Sequence, residues 1–327
     1  MRDLVRILLL ASLWGSSYGL NDQQPITALR GQPLIGFGTW NLKISPSNTS
    51  DAVSLAIQVG YRQIDCAAAY SNEKDVGKGI AHGLTKANLR RDEIWVTSKL
   101  WNDHHAPWKV EEGLNKTLDD LGLDYLDLYL MHWPVGNTPG TSKLHFDYVE
   151  TWHAMETLLA TGRVRNIGVC NFSPDQLKRL IRFSSVKPAV HQMELHPYLQ
   201  QDKWVKAHQV HGIAVTAYSP LGNMNPIYWG DEDPPLLLKN SIIVDIASKR
   251  NCTAAQVVLA WGMSRGTSVI PKSSHESRIV ENFGSKECLL QGDDFIRIEE
   301  LGKKHLTRFN NPSSGWGVHL FEGLDDS

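Results

Sequence analysis

Four residues of complementary acid–base chemistry lie at or near the ends of apolar runs: Asp65, Tyr70, Lys99 and His132. A tyrosine hydroxyl titrates near about 10, too high for easy proton donation at neutral pH. A nearby ammonium favours the phenolate and lowers that value. Lys99 could supply the ammonium, and Asp65 could hold it charged and oriented. His132 could hydrogen-bond a carbonyl oxygen and fix its position. Such a set can protonate a carbonyl oxygen while another group attacks the carbon. Each residue alone also has an ordinary structural use, such as an Asp–Lys brace or a Tyr with a satisfied hydroxyl. Four together at successive strand ends favour a site.

Elements must bring these groups together. Eight short apolar runs read as strands: Leu34–Trp40, Tyr61–Ala67, Ile94–Leu100, Leu126–Trp133, Val164–Asn171, Ala189–Leu195, Ile213–Ser219 and Thr267–Lys272. Several are apolar throughout, as strands covered on both faces should be. Between them Ser50–Val59, Lys109–Leu121, Tyr148–Ala160, Asp175–Phe183 and Ala254–Met263 carry apolar residues at helical spacing. Eight strand–helix alternations in one chain predict a closed (β/α)8 barrel, an α/β fold with its site at the C-terminal strand ends. An open doubly wound sheet is the alternative. It is expected to carry G-x-G-x-x-G after its first strand. The stretch Gly36-Phe37-Gly38-Thr39-Trp40-Asn41 has no third glycine at that spacing. Gly222–Asn240 reads as a long irregular insertion after the seventh strand, and Arg308–Ser327 as a loop-like tail.

Composition bounds the function. The 327 residues are 42% hydrophobic, with 33 basic and 35 acidic side chains for a formal charge of −2. That composition excludes a disordered chain and offers no basic excess for nucleic acid. The N-terminus pairs Arg2 and Arg6 with the apolar run Ile7–Trp14 and small residues before Leu20. Residues 1–19 therefore read as a signal peptide and 20–327 as a single barrel domain. The apolar run is too short to span a membrane. The expectation is residence in the secretory pathway or export, with the cytoplasm as the alternative. Sequons stand at Asn48, Asn115, Asn171 and Asn251. Cys66 and Cys170 read as free buried thiols. A Cys252–Cys288 bridge is open if the chain is exported, and spacing alone does not establish it. No CxxC or His-x-x-x-His pattern suggests a metal, and adjacent His104 and His105 read as a solvated loop pair.

Read in order, GFGTW (Gly36–Trp40), YRQIDCAAAYSNEKDVGKGI (Tyr61–Ile80), TSKLW (Thr97–Trp101), DLYLMHWPV (Asp127–Val135), GVCNF (Gly168–Phe172), QMELHPYL (Gln192–Leu199), TAYSPLG (Thr216–Gly222) and IPKSSHESRIVEN (Ile270–Asn282) resemble the aldo-keto reductases. The resemblance runs from about Gln32 to about Asn282. It implies a (β/α)8 barrel that reduces carbonyls with NADPH. It matches Asp65, Tyr70, Lys99 and His132 to the catalytic tetrad, with Tyr70 as proton donor. Asn171 and Gln192 match residues that hold the nicotinamide carboxamide, and Tyr218 matches the ring stacked on the nicotinamide. Ser219 and Leu221 match pyrophosphate contacts, and Lys272, Ser273 and Arg278 match the 2′-phosphate cluster. Glu281 and Asn282 match the adenine contacts. A guanidinium beside an ammonium suits a phosphate monoester, which favours NADP(H) over NAD(H).

Three positions depart from the family pattern. Cys170 replaces a serine, His191 an asparagine, and Asn225 an aspartate that clamps the pyrophosphate. The leading expectation is an NADP-dependent reductase of small, sugar-like or aromatic carbonyl compounds. An NADPH-binding regulatory subunit with little turnover is the second. A secreted glycosidase is the third; it would need facing carboxylates, for which the strand ends offer mainly Asp65 and Glu194. Oligomeric state is not legible. The 11 tryptophans sort by position. Trp40, Trp101 and Trp133 are expected to wall the substrate, with Trp316 as a lid. Trp95, Trp152 and Trp261 are expected in the core, and Trp14 in the leader.

Overall fold

The computed structural model describes residues 29–42, 49–136, 147–226 and 234–324. Residues 1–19, read as a signal peptide, lie outside the described residues, as do Asn48, most of the stretch between Pro134 and Asp147, and Trp229. The strands are β1 (Phe37–Gly38), β2 (Gln63–Asp65), β3 (Trp95–Leu100), β4 (Leu128–Met131), β5 (Ile167–Cys170), β6 (Val190–Glu194), β7 (Ala214–Tyr218) and β8 (Ser268–Val269). They pair in parallel in chain order. Ile35 bridges Val269, and Gly36 N–H donates to Val269 O at 2.8 Å, so β8 returns to the first strand and the sheet curls shut. The eight expected strands are all present, each within its predicted run.

Helices α1 (Thr49–Val59), α2 (Glu73–Ala87), α3 (Val110–Leu121), α4 (Tyr148–Leu158), α5 (Pro174–Phe183) and α6 (Asp202–His211) follow the first six strands. After β7 come α7 (Ser241–Arg250) and α8 (Ala254–Ser264), and after β8 come α9 (Glu276–Phe283) and α10 (Gly292–Lys304). The tail is not all loop, since α11 (Ser313–Trp316) forms one short turn of helix. The main core lies between strands and helices, where Val53, Ile64, Val96, Leu114, Tyr129 and Trp152 are fully buried. Trp95 and Trp261 are buried as expected.

Register sorts the side chains. In a parallel sheet, paired residues share a face, and faces alternate along each strand. Lys99 pairs with Leu130, Asp65 with Thr97, Cys170 with Gln192, and Glu194 with Tyr218. These residues form layers inside the barrel. Gly168 lies in the same interior. A Cβ there would sit 2.4 Å from Val190 O, so β5 and β6 can approach only because that position is glycine.

His105 corrects the expectation of a solvated pair. It is fully buried, and Thr151 of α4 donates to its carbonyl at 2.7 Å. Packing by α4 covers this loop, which sequence-local reasoning cannot see.

Candidate active site

A cleft of about 660 Å³ opens at the C-terminal ends of the strands. Asp65, Tyr70 and His132 line it, while Lys99 is fully buried beneath. Lys99 Nζ donates to Asp65 Oδ1 at 2.5 Å, to Cys66 O at 2.9 Å and to the Tyr70 hydroxyl at 3.3 Å. Burial disfavours the ammonium, but Asp65 and then Tyr70 outweigh it and hold Lys99 protonated. Removing one member of such a buried pair typically costs about 3–5 kcal/mol, because the other charge is left uncompensated. Burial pushes the Tyr70 hydroxyl above its ordinary value, with Lys99 pulling the other way. The sequence suggested a net lowering; desolvation of the phenol at the barrel mouth outweighs it. Tyr70 thus rests as the neutral phenol, with the cation that would stabilise its phenolate already in contact.

His132 stands edge-on to Tyr70, with ring centroids 5.8 Å apart, and to Trp101 at 5.1 Å. Burial, then Lys99, holds its imidazole well below the ordinary histidine range, so it is neutral. A neutral imidazole keeps one N–H to donate.

The second oxygen of Asp65 accepts from Gln192 Nε2 at 2.7 Å, a contact the sequence did not suggest. Gln192 and Asp65 belong to strands far apart in sequence, and only barrel closure brings them together. Asn171 donates to His132 O at 3.0 Å and accepts from the Tyr218 hydroxyl at 2.7 Å. Asn171 and Ser219 both have positive φ, 60° and 45°. Left-handed backbone in non-glycine residues is uncommon and clusters where chains are bent for function. Directly after Asn171, Ser173 opens α5 with a capping box to Gln176, which holds the sharp turn.

His191, the departure on β6, has a structural use. Phe172 N–H donates to its Nε2 at 3.1 Å, and its Nδ1 lies 2.6 Å from His208 Nε2. His208 Nδ1 in turn lies 2.6 Å from Trp204 O. With the donor Phe172 N–H fixed at one end and the acceptor Trp204 O at the other, the assignment consistent throughout is His191 Nδ1–H to His208 and His208 Nδ1–H to Trp204. Burial keeps both rings neutral, with His208 pushed down to about 4. This chain ties α6 to the turn that presents Asn171.

Lys272, Ser273, Arg278, Glu281 and Asn282 also line the cleft, as do Tyr218, Ser219, Leu221 and Asn225. Burial, then Arg278, lowers Lys272, so two cations lie within reach of each other in the cleft wall, and no ion pair engages either among the described residues. That donor set fits a phosphate dianion. Trp40, Trp101, Trp133 and Trp316 line the same cleft. Trp316 packs edge-on against Trp133 at 5.0 Å and Trp101 at 6.1 Å. The tail also contributes Asn310 and Pro312, which sequence reasoning missed because nothing local links that segment to the pocket.

Glu194 does not form a facing carboxylate pair with Asp65. It accepts from His196 Nε2 and from the backbone N–H groups of Phe309 and Asn310, while Asp65 is occupied by Lys99 and Gln192. The glycosidase expectation loses its two free carboxyls. Among the described residues, no group of three or more His, Cys, Asp or Glu could hold a metal ion, and no helix is long and apolar enough to cross a membrane.

The model of the Aldo/keto reductase family matches residues 34–303. The chain belongs to the aldo/keto reductase family. It is 45% identical to an uncharacterized oxidoreductase of Schizosaccharomyces pombe over 307 residues, 90% of this chain and 92% of the relative. It is 42% identical to aldo-keto reductase family 1 member A1 of Bos taurus, over 83% of this chain and 86% of the relative. Among solved structures, a Bombyx mori aldo-keto reductase in complex with NADP matches with a TM-score of 0.82 at 35% identity, covering 88% of this chain and 94% of the other. An aldose reductase from Giardia lamblia matches with a TM-score of 0.80 at 36% identity, covering 88% and 98%. The aldo/keto reductase region thus includes every strand and all four acid–base residues.

Proposed function

We propose that this chain is an NADPH-dependent reductase of aldehydes or ketones, small, sugar-like or aromatic, with Tyr70 as proton donor. The observation that carries the reading is the Asp65–Lys99–Tyr70 contact chain, with His132 beside it, in a cleft that Lys272 and Arg278 also line. Lys272, Ser273 and Arg278 would hold the 2′-phosphate. Glu281 and Asn282 would meet the adenine, and Ser219 and Leu221 the pyrophosphate. Tyr218 would carry the nicotinamide on its ring, with Asn171 and Gln192 at the carboxamide. When bound, the reduced nicotinamide supplies a hydride to the carbonyl carbon.

This chain's residues handle the proton and the orientation. His132 donates an N–H to the carbonyl oxygen and sets its angle. Tyr70 gives that oxygen its phenolic proton, and Lys99 stabilises the phenolate left behind. Asp65 keeps Lys99 charged and in place. The tryptophan wall excludes water and accepts an apolar or aromatic substituent.

Tyr70→Phe keeps the ring and removes the proton. The variant should bind NADPH as the parent does, by fluorescence titration, and lose carbonyl reduction by about 100-fold or more. Undiminished turnover would remove Tyr70 from its role. Tight NADPH binding by the parent without turnover on any carbonyl would favour a cofactor-binding regulatory subunit instead.

We also propose that the chain enters the secretory pathway, with residues 1–19 as its signal peptide. Cys252 and Cys288 are bridged across a Cα separation of 5.9 Å, and such bonds persist in oxidising compartments. Among the sequons in described residues, Asn251 is exposed, Asn115 accepts from Arg163, and Asn171 is buried in the cleft. Asn251 is therefore the position of these three that suits a glycan, and Asn171 stays bare.

A further inference from the structure

Glu194 is a buried carboxylate that the proposed chemistry does not use. It lies inside the barrel, two residues beyond Gln192, in register with Tyr218. It is fully buried. Oε1 accepts from Phe309 N–H at 2.8 Å and from His196 Nε2 at 2.9 Å; Oε2 accepts from Asn310 N–H at 2.9 Å. A carboxylate can only accept, so His196 carries its proton on Nε2. Two of the three donors are backbone groups of the C-terminal tail.

The tail has a second anchor further on. Leu320 and Phe321 are buried in an apolar cluster with Trp133 and Val135. The Arg308 guanidinium lies 4.0 Å from the centre of the Phe321 ring, joining the two anchors. The segment between them carries Trp316 against Trp101 and Trp133. Beside the near anchor, the Asn310 side chain donates to the Tyr218 hydroxyl at 3.2 Å.

We propose that Glu194 is a positioning residue for substrate selectivity: it clamps the tail at Phe309–Asn310 so that Trp316 completes an aromatic slot for flat, apolar aldehydes. The inference rests on carbonyl reduction as the activity. Charge-assisted acceptor bonds to buried backbone N–H groups are strong and directional. Glutamine at this position would keep one oxygen and turn an amide donor toward one of the three donors it now receives. That would repel one arm of the clamp without introducing bulk.

The experiment compares an aromatic aldehyde with glyceraldehyde, both with NADPH, on the full chain. Glu194→Gln should raise KM for the aromatic aldehyde about tenfold, the scale of one charge-assisted bond. Its kcat, its KM for glyceraldehyde and its affinity for NADPH should stay within about twofold, since the slot binds ground and transition states alike. If Glu194→Gln fails to fold, the tail supplies the same test. Phe309→Pro removes the N–H donated to Glu194, and Phe309→Ala removes the ring but keeps the N–H. The proline variant should lose selectivity and the alanine variant should retain more of it. Equal KM changes for both aldehydes, a fall in kcat alone, or no change would overturn the clamp while leaving carbonyl reduction standing. A parent enzyme inactive on every aldehyde would instead overturn the activity itself, and the selectivity role with it.

Discussion

At the scale of single residues, charge placement is decided by water exclusion as much as by partners. Lys99 and Glu73 make the contrast. Lys99 has a carboxylate in contact and stays charged despite burial. Glu73 opens α2, and its partners among the described residues are hydroxyls, Ser98 at 2.6 Å and Thr117 at 3.2 Å. Burial pushes its carboxyl up to about 7. A carboxyl raised in the fold lends stability that is full below the unfolded value near about 4.3 and is lost as pH rises through about 7. Glu73→Gln keeps the neutral form at every pH. It should match the parent near pH 4 and exceed it above about pH 8 by roughly 3 kcal/mol in chemical denaturation. Parallel pH profiles for the two proteins would refute this. The four acid–base residues were legible from type and strand-end position. The strength of Tyr70's desolvation, the Gln192–Asp65 contact and the burial of His105 were not, because each depends on residues distant in sequence.

At the scale of elements, glycine explains both a packing feature and a gap in legibility. The sequence pattern identified five helices by apolar spacing and did not single out α2. That helix carries Gly77, Gly79 and Gly83, and glycine is a poor helix former. The fold uses them for close approach. A Cβ at Gly79 would lie 2.6 Å from Ser50 O of α1, and one at Gly77 would lie 2.2 Å from Leu121 O of α3. The signal that weakens α2 locally is what lets it seat between its neighbours. Gly77→Ala gains helix propensity and should still destabilise the protein by about 1–3 kcal/mol, since backbone must shift. Urea unfolding measures it, and an unchanged or higher midpoint would show that α2 can slide to make room.

At the scale of the whole molecule, the Cys252–Cys288 bond closes a loop across a separation of 36 residues, from the α7–α8 turn to the segment before α10. A cross-link over a loop of that size stabilises by roughly 2–4 kcal/mol, largely through the unfolded chain. Reduction with dithiothreitol should lower the Tm of the purified protein, and the Cys252→Ser, Cys288→Ser double variant should match the reduced parent. Peptide mapping of protein from a secreting host should find an N-terminus at Leu20, the linked cysteine peptides, a glycan on Asn251 and none on Asn171. A purely cytosolic pool with residues 1–19 intact would refute export.

By itself the sequence determined the fold class and the identities of the acid–base groups at the strand ends. Apolar runs alternating with helical spacing leave few ways to bury both strand faces, and strand ends in a barrel converge on one mouth. Tertiary structure alone decided what those groups touch. Lys99 lies under Tyr70, Gln192 reaches across to Asp65, and Glu194 holds a tail more than a hundred residues further along the chain. The physical reason is that local spacing sets which face a side chain occupies. Its hydrogen-bond partners and its loss of water are set only once distant strands and the tail close over it.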